Sequence, residues 1–145
     1  MLFNPSSGEV RRFFCEAWAR HRAGAVLEPM QGIAATWCGR HPEYAYLLES
    51  PEEAATREFP PEQGRENPFL HLSMHLAVEE QILADQPPGI RAAWNAILKR
   101  TGDTHTAAHQ VMECLGQVLW EAQRMRSMPD TQIYLECLRR RAALR

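Results

Sequence analysis

No run of apolar residues in this 145-residue chain approaches the ~20 needed to span a bilayer. Neither sign of charge is in excess: 16 basic residues stand against 18 acidic ones, for a net charge of −2. That balance argues against a general attraction to nucleic acid or anionic lipid. The first residues, MLFNPSSGEVRRFF, place Asn, Pro and two Ser where a secretory leader needs an apolar stretch. Cysteine is sparse, at four scattered residues (Cys15, Cys38, Cys114, Cys137) with no CxxC pair. A cysteine-rich zinc site and a thioredoxin-like redox pair are therefore not expected. No nucleotide-binding motif and no CxxCH haem motif is present. These absences describe a cytoplasmic protein whose four cysteines are small, reduced core residues.

What is present is ordinary for a globular domain: 45% hydrophobic and 23% charged residues. A chain of this length suits one domain, residues 1–145, and buries roughly 68–70% of the surface exposed when unfolded. Helical patterning then accounts for most of it. Ser6-x-x-Glu9 reads as a capping box, followed by Val10, Phe13, Phe14, Ala17 and Trp18 on one face. Pro29 opens a second striped segment, Met30, Ile33, Ala34, Trp37 and Cys38. His41-Pro42-Glu43-Tyr44 restarts the chain into a short apolar third segment, Tyr46, Leu47 and Leu48. Residues 51–66, PEEAATREFPPEQGRE, have no helical stripe and read as the longest irregular connection, a candidate lid.

Asn67-Pro68 is a good helix start, and Gln86-Pro87-Pro88-Gly89 ends that helix. Ile90, Ala93, Trp94, Ile97 and Leu98 stripe the next one, and Thr101-Gly102-Asp103 separates it from a long helix running to about Met125. Asp130 opens the last, with Ile133, Tyr134, Cys137 and Leu138 inward. Arg139, Arg140, Arg141 and Arg145 close the chain as cations in a last turn, which suits the helix dipole. No strand is evident. The expected class is all-α, a compact single-domain bundle of about six or seven helices.

Within this scaffold four of the six histidines form two matching ladders. His71, His75 and Glu79 follow at four-residue intervals, and His105, His109 and Glu113 repeat the order and spacing. A four-residue step advances about 40° around a helix, so each trio lies on one face. On the first helix that face also carries Leu72, Leu76, Val78, Ile82 and Leu83, while Glu80 points to water. An ionised carboxylate among apolar residues needs a partner or a metal. If the helices run up, down and up, the two ladder helices are parallel. The trios then supply one six-ligand site or two linked three-ligand sites. Neutral imidazole with carboxylate suits Fe, Mn or Zn. Tyr44, Trp120 and Gln123 are second-layer candidates, and His41 and Glu43 are donors whose place the sequence does not fix. The remaining tryptophans, Trp18, Trp37 and Trp94, read as core.

FNPSSGEVRRFF, HPEY at 41–44, NPFLHLSMHLAVEEQ at 67–81, DQPPGIRAA at 85–93 and ECLGQVLWEAQR at 113–124 together resemble a bacterial family catalogued as domain of unknown function 1841. The resemblance covers nearly the whole chain and implies a small bacterial cytoplasmic protein. It brings no activity with it. Members often carry a second histidine directly after HPEY, where this chain has Ala45.

Two functions of different class fit these residues. One is a metal-binding helical bundle using His71, His75, Glu79, His105, His109 and Glu113, with oxidoreductive, hydrolytic or metal-sensing work. The other is a non-catalytic interaction protein, monomeric or self-associating, in which the histidines and glutamates form a buried hydrogen-bond network without metal.

Overall fold

The computed structural model describes residues 8–60 and 66–144. Among them the class is all-α: eight α-helices and a single 3-10 turn, with no strand. The helices are α1 (Gly8–Arg22), α2 (Pro29–Gly39), α3 (Ala45–Leu48), α4 (Pro51–Thr56), α5 (Pro68–Ala84), α6 (Ile90–Thr101), α7 (Thr104–Met125) and α8 (Thr131–Ala143); the turn is Pro42–Tyr44. No described helix is long and apolar enough to cross a membrane. The Ser6 end of the expected capping box lies outside the described residues. Two units follow one another along the chain, residues 1–77 and 78–145, with the boundary inside α5.

In the first unit α1 packs on α2, α3 and α4. Its stripe buries Val10, Phe14 and Ala17, and Phe14 and Ala17 are fully enclosed. The helical count exceeds the expectation because Pro51–Thr56, read from sequence as irregular, forms α4. Pro51 presets the first helical turn, and Ala54 is the single residue of α4 that is buried. One inward residue per four-residue turn is too short a pattern to register as a stripe. Arg11, which the stripe did not single out, is also buried. Its Nη1 donates to the carbonyls of Ala54 at 2.7 Å and Arg57 at 2.6 Å. The guanidinium lies near the rings of Phe59 and Phe69, 5.8 and 5.2 Å from their centroids. One buried cation thus ties α1 to the C-terminal end of α4.

In the second unit α6, α7 and α8 pack pairwise. Gly102 takes φ +71° where α6 ends, a left-handed conformation that glycine adopts without strain. Asp103 then caps α7 by accepting from the backbone N–H of Thr106 at 2.8 Å. Asp130 caps α8 in the same way through Gln132 and Ile133. Inward on α8 are Tyr134, Leu135, Cys137 and Leu138, whereas Ile133, expected inward, is 53% exposed. It sits at the edge of the stripe, in the first turn.

The reading of four reduced cysteines is corrected for two of them. Cys114 on α7 and Cys137 on α8 form a disulfide, with Cα atoms 5.8 Å apart. Sequence spacing of 23 residues carries no sign of this, because the pair is made by two helices packing face to face. Cys15 and Cys38 are free and buried, as expected.

Candidate metal centre

Each histidine of the first unit is placed by a simple local cause. Arg40 ends α2, and His41 follows directly before the proline-initiated turn. There its backbone N–H still reaches the Cys38 carbonyl at 3.1 Å. Its side chain folds back along α2, so that Nδ1 donates to the Trp37 carbonyl at 2.7 Å. The residue is 2% exposed. Asn67 caps α5 by accepting from the Phe69 N–H at 2.9 Å, which sets the register of the helix. That register stacks His71 and His75 one turn apart on the inner face. His75 is fully buried, its ring stacked on Trp37 at 3.8 Å between centroids and 15° between planes.

The three rings converge on their Nε2 atoms. His71 Nε2 lies 3.0 Å from His41 Nε2 and 3.2 Å from His75 Nε2. On its other side His71 Nδ1 meets the Glu66 carboxylate at 3.0 Å. Tyr44 lies flat on His41, 5° between planes, and edge-on to His71. Burial, with the charges of Glu66 and Glu43 next in weight, pushes the Tyr44 phenol far above its ordinary value, so it stays a neutral donor.

These partners dictate where the protons are. A carbonyl only accepts, so His41 Nδ1 carries hydrogen, and an ionised carboxylate only accepts, so His71 Nδ1 does too. In their neutral forms both rings then offer Nε2 as an acceptor, and the two acceptors face each other at 3.0 Å. Two lone pairs at that separation repel unless a proton or a cation lies between them. A histidine that binds metal through one nitrogen and donates the other N–H to a carbonyl or carboxylate is the usual outer-layer arrangement of metal sites. The spacing fits as well. Metal–nitrogen bonds of about 2.0–2.1 Å give nitrogen–nitrogen edges of about 2.9 Å in an octahedron and about 3.4 Å in a tetrahedron.

The second unit carries the other ladder. His105 and His109 meet edge to face, 4.4 Å between ring centroids, and both are half-buried. Glu113 is exposed, and its Oε2 receives Arg141 Nη1 at 2.6 Å. Its carboxylate is thus engaged with α8. Glu79 is half-buried in α5. Trp120 is 57% exposed under the guanidinium of Arg124, and Gln123 is also exposed. The sequence had left His41 without an assigned place, and the structure puts it at the centre of the first unit's cluster. The one signal for it was its position directly before a proline that begins a new turn. Glu43 of the same turn is exposed. The free thiols are poor donors, since burial raises Cys15 and pushes Cys38 up to about 12, and the thiol rather than the thiolate persists.

Residues 6–140 match the family described as a domain of unknown function, DUF1841, and the chain belongs to that family. No curated protein and no solved structure matches it.

Proposed function

We propose that this member of the DUF1841 family is a metal-binding helical protein whose ion sits on imidazole nitrogen. Three histidines of the first unit, His41, His71 and His75, bring their Nε2 atoms to within 3.0 and 3.2 Å of one another, and we assign these three as its ligands. The observation that carries the reading lies wholly within the first unit: the facing Nε2 atoms of His41 and His71, each ring having its Nδ1 hydrogen committed elsewhere. An all-imidazole set favours Zn, Fe or another late first-row ion over Mg, Ca or Mn, which prefer carboxylate. Glu113 is left out of the set because Arg141 occupies its carboxylate. Bound there, the ion supplies a Lewis-acid or redox centre. In this reading the protein orients the rings through Trp37 and Glu66 and covers them with Tyr44.

A second reading rests on the same contact. A proton held between His41 and His71, with Glu66 balancing the charge, satisfies the lone pairs without metal. The two separate by elemental analysis of protein purified without tag or chelator. Near-stoichiometric Zn or Fe that disappears in the His41→Ala, His75→Ala double variant supports the metal reading. Protein that is metal-free as isolated, and whose melting temperature ignores added Zn(II), Fe(II), Co(II) and Ni(II), overturns it in favour of the proton-bridged network.

A further inference from the structure

The second unit holds a separate feature that the histidines do not use. The two ends of the Cys114–Cys137 disulfide are unequally placed: Cys114 is fully buried, while Cys137 is 6% exposed. Cys137 forms part of the wall of a cavity of about 630 Å³ beside the α7–α8 connection. That volume lies within the roughly 300–1,000 Å³ of small-molecule sites. Val118 and Met125 supply apolar wall, and Glu121, Asp130 and Arg140 supply charge. One guanidinium and two carboxylates around an apolar floor suit a zwitterion. Arg140 can take a carboxylate as a two-pronged partner; Glu121 is paired with Arg124 at 3.0 Å, and Asp130, which caps α8 through Oδ1, can turn Oδ2 to an ammonium.

We propose that this cavity receives a zwitterionic low-molecular-weight peptide thiol, which exchanges with the disulfide at Cys137. The ligand thiolate attacks Cys137 Sγ, the only one of the two sulfurs whose residue reaches the cavity. A new sulfur–sulfur bond joins ligand and Cys137, and the Cys114–Cys137 bond breaks. Its electron pair leaves on Cys114 Sγ, which takes up the proton the attacking thiol gave up. A second ligand thiol attacks the ligand sulfur of the mixed disulfide, which yields the oxidised ligand pair and the Cys137 thiol. In sum, two ligand thiols are oxidised and one protein disulfide is reduced to a dithiol. The reverse sequence restores it. Exchange is governed by which sulfur can be reached, so the two cysteines differ in kind.

The test uses the full chain and glutathione as probe. Wild-type protein purified without reductant is exposed briefly to reduced glutathione, quenched with iodoacetamide and mapped by peptide mass spectrometry. The expected product carries glutathione on Cys137 and the alkyl group on Cys114. Cys114→Ser treated with oxidised glutathione becomes modified at Cys137, and Cys137→Ser under the same conditions stays unmodified at Cys114. Arg140→Ala slows glutathionylation about fivefold and leaves the rate with uncharged 2-mercaptoethanol unchanged. Glutathione on Cys114, or a wild-type chain with both thiols free as purified, overturns the exchange. An Arg140→Ala rate equal to wild type overturns the docking. The wild-type mapping needs no variant to fold, so a misfolded variant still leaves the exchange open to refutation.

Discussion

His41 Nε2 and His71 Nε2 face each other at 3.0 Å although they lie 30 residues apart, one in a turn and one in a helix. Both rings are held from behind, His41 by the Trp37 carbonyl and His71 by the Glu66 carboxylate. The contact is therefore locked in orientation. It makes His41, which belongs to neither ladder, the residue on which the metal reading turns.

His41→Ala is expected to reduce bound metal at least as much as loss of either His71 or His75. Glu113→Gln, by contrast, should keep full metal content. Removing the Glu113–Arg141 pair, of which Glu113 is 58% exposed, should change stability by less than about 1 kcal/mol. Elemental analysis of these variants beside His71→Ala and His75→Ala checks the metal content and urea unfolding checks the stability, and retention of metal in His41→Ala would contradict the proposed ligand set.

Glu66 should matter through His71. Glu66→Ala removes the acceptor that fixes the His71 ring, and loss of such a partner weakens metal binding by roughly 10–100-fold. Competition against a chromophoric chelator measures this directly. An unchanged affinity would mean that Glu66 plays no orienting role.

Arg11 is expected to be among the most sensitive positions of the first unit. Arg11→Met keeps the aliphatic bulk but leaves the Ala54 and Arg57 carbonyls without this donor. An unsatisfied buried group costs roughly 1–3 kcal/mol, so a loss of about 3 kcal/mol in urea unfolding is anticipated.

The disulfide closes a loop between positions 23 apart in sequence. Tying a loop of this length contributes about 3 kcal/mol by restricting the unfolded chain. Unfolding midpoints should accordingly fall when wild-type protein is reduced, whereas Cys114→Ser should show no further change on reduction.

Burial raises the folded Cys38 thiol from 9.0 to about 12. Below pH 9 the thiol is protonated in both folded and unfolded chains, and its contribution to stability is fully present. Between pH 9 and about 12 the unfolded chain loses this proton while the folded one keeps it, so that contribution is lost as pH rises. The stability of wild type should fall more steeply over this window than that of Cys38→Ala. At pH 8 the native protein should resist alkylation at Cys38 and at Cys15, whose thiol burial also raises.

The all-α class and most helix boundaries were legible in the sequence, because stripes such as Val10, Phe14 and Ala17, caps such as Asn67 and Asp103, and the Gly102 break act over one or two turns of chain. The pairing of His71 with His75 and of His105 with His109 was legible for the same reason, since a four-residue step fixes which face a side chain occupies. The placement of His41 beside His71, the disulfide between Cys114 and Cys137, the capture of Glu113 by Arg141 and the burial of Arg11 were decided by tertiary structure alone. Each of these joins residues on different elements. Helical periodicity tells a side chain to face inward, and only packing tells it what it will meet there.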